Sequence, residues 1–327
     1  LIIWDEVHKC QAPFSQNSQM LIAAKQAGYF NLMLSATACQ DHTEMRSIGF
    51  ALGLHSLNKP EGKKKSWFTW MMQCGCRRDH WGNWTSGPAS KLAELNTELY
   101  SKNCVKLTPK DLPNAFTDCH VITEPLAFSS LTDIAKFYKQ HGVTPEIVEQ
   151  FLEDGGASPH ILVEILRARQ LAEAAKVSDI LNMVADACNE GYSVAIFVNF
   201  RDTVSAIAEA IPNASIIVGG QSSLVREDNV QRFQTNQTNV IICNIAAGGV
   251  GVSLHDTVGG HPRMSLISPT FNVKEYIQTL GRVHRAGAKS PVVQRVLIAS
   301  KTIEEKILAK MEQKRLALDT LHAQPTT

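Results

Sequence analysis

The C-terminal half of the chain repeats a pattern that few folds accept. Short β-branched or aromatic runs at 193–200, 215–218, 239–243, 264–267 and 292–298 are each separated by a helix-like or loop-like stretch. Apolar runs this short read as strands buried on both faces, and alternation with helices predicts a parallel α/β sheet with ligands at the carboxyl ends of its strands. The same order opens the chain. Leu1, Ile2, Ile3 and Trp4 form an apolar run, 15–27 reads as a helix, 31–34 as a second buried strand and 43–52 as another helix. At 327 residues the chain is expected to hold about two domains.

Composition narrows the function classes. Hydrophobic residues make up 44% and charged residues 19%, which excludes a chain disordered throughout. Thirty-two Lys and Arg against 31 Asp and Glu leave a net charge of +1, so a nucleic-acid surface has to be local rather than a global field. Eight cysteines are diluted over a long chain without a leading apolar signal, which predicts reduced thiols and a cytoplasmic setting. No run approaches the ~20 apolar residues of a membrane helix, so no membrane partner is expected.

Between the regular stretches the pattern changes. From about 56 to 90 periodicity fails, and Lys63, Lys64, Lys65, Arg77 and Arg78 accompany Trp67, Trp70, Trp81 and Trp84, which marks a basic, Trp-rich insertion. It can grip a nucleic-acid backbone or stack on bases through Arg77 and Arg78, or its tryptophans can pack on the first domain. Cys74, Cys76 and His80 lack the paired spacing of a structural zinc site. Glu153 to Pro159 is the best hinge candidate, which puts the domains at 1–155 and 156–327.

Four motifs carry chemistry. Asp5 and Glu6 follow a strand, the Walker-B arrangement in which one acid serves a divalent metal and the other an attacking water. Ser35, Ala36 and Thr37 close the second strand with two hydroxyls. Glycines at 248, 249 and 251 let backbone approach a phosphate or sugar. Arg282 and Arg285, three apart, share a face if their segment is helical and can then clamp a transferring phosphoryl group.

DEVH at 5–8, SAT at 35–37, GGVGVSLHD at 248–256 and QTLGRVHRAG at 278–287 stand in the order and approximate spacing of helicase superfamily two. The chain resembles the Snf-type, DEAD/DEAH-box-like branch of double-stranded DNA translocases, most closely its phage and viral members. VKLTPKDLP at 105–113 and IFVNF at 196–200 extend the resemblance over nearly the whole chain. It implies two RecA-like lobes, the first incomplete at its N-terminus, with ATP and Mg2+ as cofactors and duplex DNA as partner. It also implies that Asp5 positions Mg–ATP, Glu6 activates water and His8 links hydrolysis to the neighbouring lobe. Ser35 and Thr37 match the coupling motif, Arg282 and Arg285 the arginine fingers, and Gln278 stands in the same motif. Asn199, Phe200, Gly249, Gly251 and Asp256 match segments that track nucleic acid or sense the nucleotide. Chromatin remodellers carry Ile-Gly-Gln after the arginine motif, where this chain has Ala286, Gly287 and Ala288.

The phosphate-cradling sequence GxxxxGK[ST] does not occur in the 327 residues. In the family it lies upstream of DExH, so a truncated first lobe is expected, and the chain alone should bind ATP poorly and hydrolyse it negligibly. A DExH-type RNA helicase and a non-catalytic nucleic-acid-binding module are the rival readings. The second has no use for Glu6, Arg282 and Arg285.

Overall fold

The computed structural model describes residues 1–321 except 37, 63, 80, 81, 83, 102, 103, 109, 110, 113, 128–130, 145, 149, 150, 152–158, 249 and 250. Contacts divide the chain into two compact units, Leu1–Leu107 with Lys314–Thr327, and Thr108–Gln313.

In the first unit β1 (Ile2–Trp4) and β2 (Asn31–Met33) pair in parallel, Ile2 opposite Asn31 and Trp4 opposite Met33. The crossover between them holds the helix Gln16–Gln26, started by Ser15, whose hydroxyl accepts the Ser18 N–H at 3.2 Å. Leu21 of that helix is fully buried with Met45, Met71, Leu95 and Leu99. The expected helix over 43–52 is a 3-10 turn, His42–Glu44, followed by the helix Arg46–Leu52. The described residues of the insertion hold regular elements. Ser66 caps the helix Trp67–Gln73, and a short antiparallel hairpin follows, β3 (Arg77–Arg78) with β4 (Trp84–Thr85), ahead of the helix Ala89–Tyr100.

Trp70 is buried and Trp67 stacks on it at 5.4 Å and 21°, so these two tryptophans take the packing role that the sequence left open. His55, fully buried, lies 4.8 Å from Trp67 and 5.4 Å from Trp70. Burial holds the imidazoles of His42 and His55 below the ordinary histidine range. Trp81 and His80 lie outside the described residues. Among the described residues no group of three His, Cys, Asp or Glu could hold a metal, and all eight cysteines are free.

The second unit is a six-stranded parallel sheet built from β5 (Cys119–Leu126), β6 (Ser193–Val198), β7 (Ser215–Ile217), β8 (Val240–Asn244), β9 (Arg263–Ile267) and β10 (Val292–Ala299). Its order is β5-β10-β9-β6-β8-β7, with every pair parallel. Period-two alternation splits each strand between two cores. Ala195 and Phe197 join Ile241, Cys243, Val292 and Val296 on one face, covered by helices contributing Ile165, Tyr276 and Ile307. Val194, Ile196 and Val198 join Ile242, Leu266 and Leu297 on the other, covered by Ile180, Val184 and Ile207. Burial of both faces makes this an α/β sheet of the RecA-like kind.

Two expectations need correction. The boundary at 155/156 cuts the second unit, because β5 pairs with β10 over eight residues, from Val292 opposite Cys119 to Ala299 opposite Leu126. Pro125 is tolerated because β5 is an edge strand, and the hinge candidate at 153–159 falls largely outside the described residues. The long helix expected up to 189 is two helices, Pro159–Ala175 and Val177–Asn189, parted at Lys176. Lys176 is fully buried. Its ammonium donates to both oxygens of Glu304 at 2.8 Å and to the Leu297 carbonyl at 3.0 Å. No helix among the described residues is long and apolar enough to cross a membrane.

The Lys176–Glu304 pair sets a stability test. Lys176→Met leaves a buried carboxylate uncompensated and should cost about 3–5 kcal/mol in denaturant unfolding. The double variant Lys176→Met with Glu304→Leu should recover much of that loss.

Candidate functional site

The acidic residues begin where β1 ends. Main-chain pairing continues past the strands, with the Leu34 N–H donating to the Trp4 carbonyl at 2.9 Å and the Val7 N–H to the Leu34 carbonyl at 3.0 Å. This extension ties residues 5–8 to the segment that carries Ser35. Asp5 is exposed, while Glu6 is half-buried with its backbone left-handed at φ 55° and ψ 50°. A non-glycine residue in that region carries strain, which persists where surrounding structure enforces it. His8 Nδ1 lies 3.1 Å from Glu6 Oε2 and 3.1 Å from Ser35 Oγ. DEVH and SAT therefore meet through one imidazole nitrogen. Thr37 lies outside the described residues.

In the second unit the arginine segment departs from the helical expectation. The helix Val273–Val283 carries Gln278, half-exposed, and Arg282, but His284 is extended at φ −105° and ψ 102°, so Arg285 stands beyond the helix end. His284 Nε2 lies 3.0 Å from the Thr117 carbonyl, and Gly287, left-handed at φ 85°, donates its N–H to the Ala115 carbonyl at 2.7 Å. These contacts to 115–117 draw the chain out of the helix. Both guanidiniums still converge on one loop. Arg282 Nη1 is 3.4 Å from the Val252 carbonyl, and Arg285 Nη1 donates to Ser253 Oγ. Arg285 Nε also donates to the Gly281 carbonyl at 2.8 Å. Gly251 opens that loop at φ 77°, a conformation that favours glycine, and Gly249 lies outside the described residues.

Asp256 is fully buried and organises the loop beyond it. Its carboxylate accepts Ser290 Oγ–H at 2.6 Å and the N–H groups of Val258, Gly259 and His261 at 3.0, 2.9 and 3.2 Å. Burial alone pushes this carboxyl up, but the Ser290 hydroxyl and the three backbone donors outweigh it and hold it below the usual range.

Asn199 and Phe200 follow β6. The Asn199 Nδ2 donates to Glu173 at 2.7 Å and to the Pro269 carbonyl at 2.9 Å, while the N–H groups of Asn199 and Phe200 donate to the same Glu173 carboxylate. Arg169 lies over the Phe200 ring at 5.5 Å and the Phe271 ring at 4.2 Å. Sequence reasoning missed Glu173 and Arg169. Their one signal was an acid and a base four apart on a helix otherwise rich in Ala and Leu. Arg77 and Arg78 are exposed on β3, with the Arg78 guanidinium 5.1 Å from Trp84 and 5.7 Å from Phe68.

Residues 175–287 match the family model for the helicase conserved C-terminal domain, which spans the glycine loop and the arginine segment. A protein of Acanthamoeba polyphaga mimivirus, provisionally named an ATP-dependent RNA helicase, is 29% identical over 97% of this chain and 60% of its own length. The DNA repair protein rad8 of Schizosaccharomyces pombe is 28% identical over 41% of this chain and 12% of its own length. The chain thus spans 60% of the first relative's length and 12% of the second's. Among solved structures, the C-terminal part of the Fun30 ATPase domain aligns over 64% of this chain and all of that one, with 12% identity and a TM-score of 0.46. The family match makes residues 175–287 similar to helicase C-terminal domains, and the relatives make the chain as a whole similar to a viral helicase and, over a shorter stretch, to a DNA repair protein.

Two outcomes follow from the geometry. Because position 6 is left-handed, Glu6→Gly should be about 1 kcal/mol more stable than Glu6→Ala in thermal unfolding. Asp256→Asn should cost about 2 kcal/mol at pH 7, since an amide cannot replace every acceptor site. The folded carboxyl lies below its unfolded value, so its stabilisation is complete above the unfolded pKa of about 3.9 and is lost as pH falls through the folded value. The gap between wild type and variant in urea melts should therefore be constant above about pH 5 and narrow progressively as pH falls below about 3.9.

Proposed function

We propose that the chain is part of an ATP-dependent translocase acting on duplex DNA. The observation that carries this reading is His8 Nδ1 standing 3.1 Å from both Glu6 Oε2 and Ser35 Oγ. Such a contact lets a change at the water-activating acid be felt at the end of the neighbouring strand, which is what coupling hydrolysis to movement requires.

The exposed Asp5 carboxylate is a hard oxygen donor suited to Mg2+ that also keeps phosphate and water ligands. Mg2+ would supply charge neutralisation on the phosphates. Glu6, fixed by its backbone and by His8, would orient the attacking water. Arg282 and Arg285 would stabilise charge on the transferring phosphoryl group, Arg285 exchanging Ser253 Oγ for a phosphate oxygen. Gln278 is proposed at the nucleotide, and Asp256 acts there indirectly by fixing the loop after Ser253. Asn199 and Phe200 would meet nucleic acid through the Phe200 ring, in a turn whose main-chain N–H groups donate to Glu173. Since the 327 residues contain no GxxxxGK[ST], we propose that on their own they turn over little ATP.

Duplex DNA is favoured over RNA by the repair protein among the relatives, whereas the mimivirus relative carries an RNA helicase name. Fluorescence anisotropy with matched 25-base-pair duplexes decides between them. The purified chain should bind DNA several-fold tighter than RNA, with log affinity falling linearly in log salt, and should release phosphate from ATP at background rate. Tighter binding of the RNA duplex would transfer the assignment to an RNA helicase.

A further inference from the structure

A cleft of about 800 Å³ opens in the first unit, bounded by the loop 11–14, the turn at 43–46, residues 57 and 58, and the insertion. Its walls carry Phe14, Trp67, Phe68 and Trp84, together with Arg46 and Arg78. Apolar rings in a small unit ordinarily go to the core, yet Phe14 is 80% exposed and Phe68 53% exposed. Each is held by a cation. The Arg46 guanidinium sits 5.4 Å over the Phe14 ring and is itself anchored at 3.0 Å to the Pro13 carbonyl. Arg78 lies between Phe68 at 5.7 Å and Trp84 at 5.1 Å, and those two rings meet edge-on at 5.5 Å. Trp67 gives one face to Trp70 in the core and so joins the cleft to rigid structure.

We propose that this cleft stacks unpaired bases of a single-stranded nucleic acid, with Arg46 and Arg78 drawing in its phosphates. Solvent-open aromatic side chains such as Phe14 and Phe68, beside guanidiniums, suit a ligand that alternates flat apolar groups with anions. Bases inside a duplex have both faces covered, so only an unpaired or flipped base can use the rings. The acid on the rim, Glu44, has a carboxylate oxygen turned to the Gln40 N–H at 2.6 Å. Lys64 and Lys65 are exposed on the same insertion and add to the attraction. The volume falls in the range of sites that enclose small planar ligands. This assignment rests on the nucleic-acid reading above and adds a second contact, separate from the duplex.

The test compares a labelled 15-nucleotide oligo(dT) with a blunt DNA duplex of equal length, using the purified chain and its Phe14→Ala, Phe68→Ala double variant. Both rings are exposed, so the variant should keep the wild-type circular dichroism and melting temperature. Oligo(dT) affinity should fall tenfold or more while duplex affinity stays within twofold, and oligo(dT) should quench tryptophan emission in the wild type. Phe14→Trp with Phe68→Trp should restore single-strand binding. Equal losses for both ligands, or no loss for oligo(dT), would overturn the cleft assignment alone. A wild-type chain that binds neither DNA form would overturn the nucleic-acid reading with it.

Discussion

Burial of both faces of the six-stranded sheet is the constraint from which the second unit follows. Once Ala195 and Phe197 belong to one core and Val194 and Ile196 to the other, no position along those strands is left for chemistry. Polar groups are pushed to the strand ends, where each must find partners or cost several kcal/mol of desolvation. The partners are internal. Glu173 takes the donors after β6, Asp256 those of the loop before β9, and Lys176 closes on Glu304 beside β10. The turn after β6 and the loop before β9 are thus each held by a buried carboxylate.

The first unit solves a similar problem with less sheet. Two short strands place DEVH beside SAT, and the hydrogen bonds from Leu34 and Val7 carry the pairing one step past each strand. At that step Glu6 takes a left-handed backbone, as Asn236 and Lys301 do in the second unit. The insertion behaves as a divided element. Trp70 is buried, Trp67 and Trp84 pack half-buried against the core, and Phe68 and Arg78 remain exposed. One helix supplies both, because Trp67 and Trp70 are three apart and share a face from which Phe68 is rotated away.

Strand positions and motif order were legible in the sequence because they depend on local period and composition. The five apolar runs in the second half appear as β6 to β10 within one or two residues, and Ile303, Ile307 and Met311 face the core as their spacing indicated. The place of β5 was not legible. Its neighbours in sequence suggested the first domain, but its hydrogen bonds go to β10, more than 160 residues away. The end of the arginine helix was equally hidden, since the carbonyls of Ala115 and Thr117 that pull on Gly287 and His284 leave no mark in the local pattern.

The sequence by itself determined the α/β alternation, the collinear helicase motifs and the acidic and basic residues in them. Those features are set by side-chain type and by periods of 2 and 3.6 residues, which are properties of the chain before it folds. Tertiary structure decided how each motif residue is held. Asn199 and Asp256 entered as nucleotide or nucleic-acid contacts and are tied to Glu173 and to Ser290 with its neighbouring loop. Buried polar groups must be satisfied by whatever lies next to them in space, and that adjacency is created only when distant segments pack.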